Sequence, residues 1–178
     1  MTSLSQHRHL GHIRPMPRIR TIAAALALGA IAHGGPVFAD NSPDPGSASW
    51  MDAPRTPGDW NYSDRGAFTI ANYGTGPDAI MFGMRCDKAS HVVSLGRTSA
   101  SKVAVPMQVK TETVTQLFTA EPQQAGQYHI VSAPLPAADS FLDAMALSKG
   151  RFAVEVVGEP SLYIPSWPEV TRVIEDCR

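Results

Sequence analysis

The sequence predicts a mainly β protein, a single antiparallel β-sandwich or partly open barrel, with a short helix before the last hairpin and another at the C-terminus. Three observations carry this. Between Ala67 and Val157 apolar residues recur at period two in short runs separated by turn residues. From Pro165 to Arg178 the spacing becomes helical, with Val170, Val173, Ile174 and Cys177 on one stripe. The only two cysteines, Cys86 and Cys177, fall on the inward faces of a strand and of that helix.

The chain opens with Arg8, Arg14, Arg18 and Arg20, three histidines and no acid, followed by an apolar run from Ile22 to Ala32. This is the pattern of a secretory signal peptide over residues 1–39, with Val37-Phe38-Ala39 supplying small residues before a cut at Asp40. The run is shorter than the ~20 residues an uncleaved membrane anchor needs. Met16 is an alternative initiator that gives a more compact signal. No cysteine marks a lipid anchor and no twin arginine marks another route.

All sixteen acids lie after residue 39 but only eleven of the fifteen Lys and Arg do, so the exported part carries a formal charge of −5. Its bases are scattered, which excludes a nucleic-acid partner and a polybasic membrane patch, and no integral membrane span remains after signal cleavage. The length suits one domain.

Residues 40–58 hold Pro43, Pro45, Pro54, Pro57 and several small polar residues, and read as a Pro/Gly/Ser-rich flexible tether whose Trp50 docks loosely on the domain rather than waiting for a partner. The ordered domain is expected over 59–178, with its first strand at Ala67–Tyr73. After the break at Asn72–Asp78, Ile80, Phe82, Met84 and Cys86 share one face of a second strand. A short connection leads to a strand at His91–Leu95, so the two form a hairpin. Further strands are expected around Val103–Val109, where Pro106 suggests an edge or bulge, at Thr113–Thr119 and at Gln127–Ser132, which Pro134 and Pro136 end. Ser140-Phe141-Leu142-Asp143 opens a helix that Gly150 closes. Arg151–Val157 and Ser161–Ile164 form the last hairpin. The terminal helix starts with Ser166 and Glu169 in capping-box relation and Pro168 in the first turn.

Cys86 and Cys177 are expected to form a disulfide, since an oxidising compartment favours one and only one pairing exists. Closing a loop of about ninety residues is worth ~4.5 kcal/mol in the chain-entropy model. A redox pair would sit closer in sequence, and the two histidines beyond residue 39 are too few to complete a zinc site, so no metal or cofactor is expected.

The C-terminal forty residues, with Asp139-Ser140-Phe141-Leu142-Asp143-Ala144-Met145, Gly150-Arg151-Phe152, a hairpin and a terminal helix, resemble small exported bacterial envelope proteins. The order of elements is similar to exported proteins of the invasion-associated locus B type. The resemblance covers the last third of the exported chain. It implies a small β-sandwich of the periplasm or cell surface with a non-enzymatic envelope or host-interaction role. This chain carries one cysteine pair where that family is associated with two.

No G-x-S-x-G elbow occurs, and Gly74-Thr75-Gly76 opens no helix that could bind phosphate. His91 and His129 are the two bases available to catalysis, both expected on strands and neither placed beside an acid by any motif. Asp139 and Asp143 stand at i, i+4, a spacing that could face a cation, yet capping by Ser140 explains the region without one. Trp167, Arg151 and Asp143 are candidates for a recognition surface, with packing at the open end of the sandwich the plainer role for Trp167. The sequence therefore favours an exported envelope binding or structural module whose partner is an envelope protein or glycan. The alternatives are a small exported enzyme using a strand histidine and an inhibitor of a secreted hydrolase.

Overall fold

The computed structural model describes residues 49–178. The expected signal peptide, residues 1–39, and the expected tether up to residue 48 lie outside them. The described chain forms nine antiparallel strands and two short helices: β1 (Asp59–Asp64), β2 (Phe68–Gly74), β3 (Ile80–Asp87), β4 (Val92–Thr98), β5 (Val105–Lys110), β6 (Thr115–Ala125), β7 (Tyr128–Pro136), α1 (Ser140–Ala146), β8 (Phe152–Val156), β9 (Leu162–Ile164) and α2 (Pro168–Glu175). The strands make one sheet in the order β1-β2-β3-β4-β7-β6-β5-β8-β9, curled into the partly open barrel that the period-two runs predict.

β6 is the strand on which the sheet turns. Its first half, through Ala120, pairs with β5, and from Glu121 onward it pairs with β7. This handover explains four prolines inside strands. Thr111 donates to Val114, so the odd residues of β5 face β6 and Pro106 faces β8, whose pairing begins only at Met107. Pro134 and Pro136 likewise face the β6 side beyond Ser132, where the β6 pairing has ended. By the same parity Pro122 faces β5 beyond its last pair at Ala120. Each missing N–H lies where no partner strand asks for it. The sequence-based expectation that Pro134 and Pro136 end β7 is therefore corrected: the strand runs through both.

The inner face buries Tyr73, Phe82, Met84, Leu95, Met107 and Phe152, capped by Leu142 and Met145 of α1 and by Val170, Val173 and Ile174 of α2. Edge-to-face contacts run from Trp60 to Tyr73 (5.3 Å between centroids) and Phe82 (6.1 Å), and on from Phe82 to Phe152 (5.8 Å), tying β1 to β8 across the interior. β1, where no separate strand is expected from sequence, alternates Trp60 and Tyr62 toward α2. The Trp60 indole donates to the Pro165 carbonyl at 2.8 Å and the Tyr62 hydroxyl to Asp176 at 2.5 Å, with the Arg172 guanidinium 3.9 Å from the Tyr62 ring centre.

Residues 53–56, expected in a flexible tether, are held along the open edge. Thr56 donates from its N–H to the Tyr163 carbonyl and accepts the Tyr163 N–H on its hydroxyl. Its carbonyl accepts the buried Tyr73 hydroxyl at 2.6 Å. The chain thus leaves the free side of β9 and enters β1, bridging the two ends of the curled sheet.

Candidate functional site

The strand register sets a row of small and polar residues across the outer face of the sheet. Asn61, Asn72, Gly83, Gly96 and Ser132 are successive cross-strand partners on β1, β2, β3, β4 and β7. With no side chain on the two central strands, the row sinks into a trench. Ile70, Arg85 and Ser94 stand along one side and Ile80, Thr98 and Ile130 along the other, enclosing about 580 Å³. Ile80 reaches this face because the ladder with β2 shifts between Tyr73 and Gly74, leaving Met81 as a bulge. Strict alternation from Phe82 would have put Ile80 inside, as the sequence suggests. Beyond Asn72 and Ile80 the trench continues into a second hollow of about 590 Å³ lined by Asp59, Asn61 and the Gly74–Pro77 turn.

The β6–β7 hairpin tip closes one side. Tyr128 donates its hydroxyl to the Pro77 carbonyl at 2.5 Å, and the Gln127 amide donates to Asp78 at 3.2 Å. Arg85 is the one charged side chain lining the first hollow, stacked 4.3 Å from the Phe68 ring centre with Asp87 at 3.7 Å. The remaining polar lining is amide and hydroxyl, with no histidine or carboxylate to serve as a base. Such a lining offers mainly neutral hydrogen-bonding groups and apolar contact.

The residues singled out from sequence lie elsewhere. Cys86 and Cys177 are disulfide-bonded, with Cα atoms 5.4 Å apart and a sequence separation of 91. The capping box at Ser166 and Glu169 does not form and is corrected: Trp167 is the N-cap, without a side-chain bond. Ser166 instead donates to the carbonyls of Met145 and Ala146, tying α2 to the end of α1, while the buried Glu169 Oε2 has no partner. α1 is capped by Asp139, which accepts the Phe141 N–H at 2.9 Å, rather than by Ser140. In both helices the true cap is one residue from the expected one, and for α2 the carbonyls at the end of α1 hold the serine.

Trp167, Arg151 and Asp143 are each engaged within the chain. The Trp167 ring lies 5.0 Å beneath Arg55, Arg151 donates to the Ala53 carbonyl, and Asp143 accepts from Arg178 at 2.6 Å. That bond holds the Arg178 guanidinium above its ordinary pKa. The first two are thus occupied by residues 53–56. His91 is not on a strand: it turns the β3–β4 hairpin at φ 53° and donates from Nδ1 to the Cys177 carbonyl at 2.7 Å. His129 sits exposed on β7 opposite Gln124. The length of β4 separates the two histidines, roughly 20 Å at the usual strand rise.

One buried side chain escaped sequence reading. Arg97 points inward between Phe82 and Val131 and donates to the carbonyls of Met81, Thr98 and Pro160 at 3.0 to 3.2 Å. Burial pushes its pKa down, opposed by Glu159. Its place in a strand of alternating apolar residues, at an inward position, was the available signal. Among the described residues no three His, Cys, Asp or Glu side chains gather as metal ligands.

Fold and surface together define a disulfide-clamped, curled antiparallel sheet with a transverse groove on its outer face. The crystal structure of invasion associated protein B from Bartonella henselae is similar at a TM-score of 0.41 and 12% identity, covering 66% of this chain and 95% of that one. No family model matches the sequence, and no curated protein matches it significantly.

Proposed function

We propose that this chain is an exported, non-enzymatic binding module of the cell envelope that engages its partner through the outer face of β2, β3, β4 and β7. The observation that carries this is the glycine-floored trench, a cleft of ligand size lined, Arg85 apart, by neutral polar and apolar groups. Interior strand positions occupied by glycine mark places where something approaches the backbone closely. Export is supported by the Arg-rich, acid-free start followed by an apolar run, and by a disulfide of the kind that persists in oxidising compartments. No described helix is long and apolar enough to cross a membrane.

The test is photo-cross-linking in intact cells from a reactive side chain placed at Thr98 of the full chain. A discrete adduct with an envelope component is expected. Its absence, with the chain recovered intact from the envelope fraction, would remove the proposal.

A further inference from the structure

Resting on that reading, we infer that the trench takes a neutral, β-linked, N-acetylated glycan chain laid across the strands, with its rings over Gly83 and Gly96. A peptide that docks on a sheet by strand addition uses a free edge. Here β2, β3 and β4 are each paired on both sides, so the floor has no main-chain groups to offer one. An anionic ligand would find a single guanidinium, already stacked on Phe68 and facing Asp87. An acyl chain would cover Asn72, Ser94 and Ser132 without giving them hydrogen-bond partners.

A pyranose ring answers both chemistries at once. Its C–H faces pack on Ile70, Ile80 and Ile130, while its hydroxyl rim meets the short amide and hydroxyl side chains between them. The Asn72 carboxamide oxygen lies 2.7 Å from where a Gly83 Cβ would be, so the amide itself covers Gly83 and forms part of the floor. An acetamido substituent matches it, pairing amide with amide and turning its methyl to the isoleucines. Strands repeat every ~4.8 Å, about one sugar unit, so a tetrasaccharide spans β2 to β7. A row of one residue per strand favours a ligand that advances by one unit per strand, as the extended, β-linked form does.

The experiment is an NMR titration of the isotope-labelled full chain with chitotetraose, and in a parallel arm with palmitate. Saturable shifts centred on the amides of Asn72, Gly83, Gly96 and Ser132 are expected with chitotetraose. Gly96→Val should weaken that binding at least tenfold. Gly96 does not have a positive φ, and a Cβ there meets the Gly83 carbonyl oxygen at 3.8 Å and, more tightly, the Ile130 Cδ1 at 3.3 Å, the far end of a flexible side chain. Asn72→Ala, which empties rather than fills the floor, should weaken it as well and stands in should Gly96→Val misfold. No saturable shift, shifts mapping elsewhere, unchanged affinity in the folded variants, or palmitate alone shifting these amides would each overturn the assignment. A Thr98 adduct in cells from a chain that ignores chitotetraose overturns the glycan and leaves the binding module standing.

Discussion

Arg97 shows how much can rest on one side chain. It is 5% exposed, and its three carbonyl acceptors come from β3, β4 and the β8–β9 turn. Arg97→Ala leaves those carbonyls short of donors, and we expect a loss of about 3 kcal/mol or more in urea denaturation. Arg97→Lys should recover only part, because an ammonium cannot reproduce the planar fork. At the surface, Asp87 is held below the ordinary carboxylate pKa by the Ser90 N–H and hydroxyl, and Asp64 by the Gly66 N–H and Lys88. A carboxylate depressed in the folded state stabilises it fully above the unfolded pKa, ~3.9 for Asp, and loses that contribution as pH falls through the lower folded value. Melting temperature should therefore fall in acid below about pH 4, and less steeply in Asp87→Asn. His91 shows why a residue's role can be hidden: its sequence neighbours look like strand, yet a left-handed turn and the Cys177 carbonyl decide its conformation.

Among the elements, α2 is fixed from three directions: by the disulfide to β3, by Trp60 and Tyr62 of β1, and by Ser166 to α1. Cys177→Ser should cost ~4 kcal/mol, the closure entropy of so long a loop, read as a shift of the denaturation midpoint. Ser166→Ala and Asp139→Ala should each cost about 1 kcal/mol, by different routes. The Asp139 change frays the start of α1. Ser166→Ala should leave amide exchange at the start of α2 unchanged, which a lost cap would not. The apolar stripes of both helices were legible from sequence because 3.6-residue spacing is a local property. Their caps were not, because Ser166 had a remote competitor in α1 that outbid its own helix.

For the whole molecule, the bridge at 53–56 decides whether the sheet ends open. Deleting residues 40–57 should strip the Tyr163 backbone groups and the Tyr73 hydroxyl of their partners and expose the β9 edge. A lower melting temperature and concentration-dependent self-association are expected, followed by analytical ultracentrifugation. Composition alone made this stretch look like a linker, since prolines and small residues bury little area. It is held by backbone bonds and by Arg151 and Trp167, the two residues whose aromatic and cationic character had suggested a recognition surface.

By itself the sequence determined that the protein is a mainly β fold with two helices and that its two sulfurs face one interior, because side-chain periodicity is set within each segment. Only the tertiary structure decided the groove. Gly83, Gly96 and Ser132 are unremarkable in their own strands and become a trench floor through the β3–β4 and β4–β7 registers. The latter joins segments nearly forty residues apart, and a segment's period states which way its side chains face but not which strand will lie beside it.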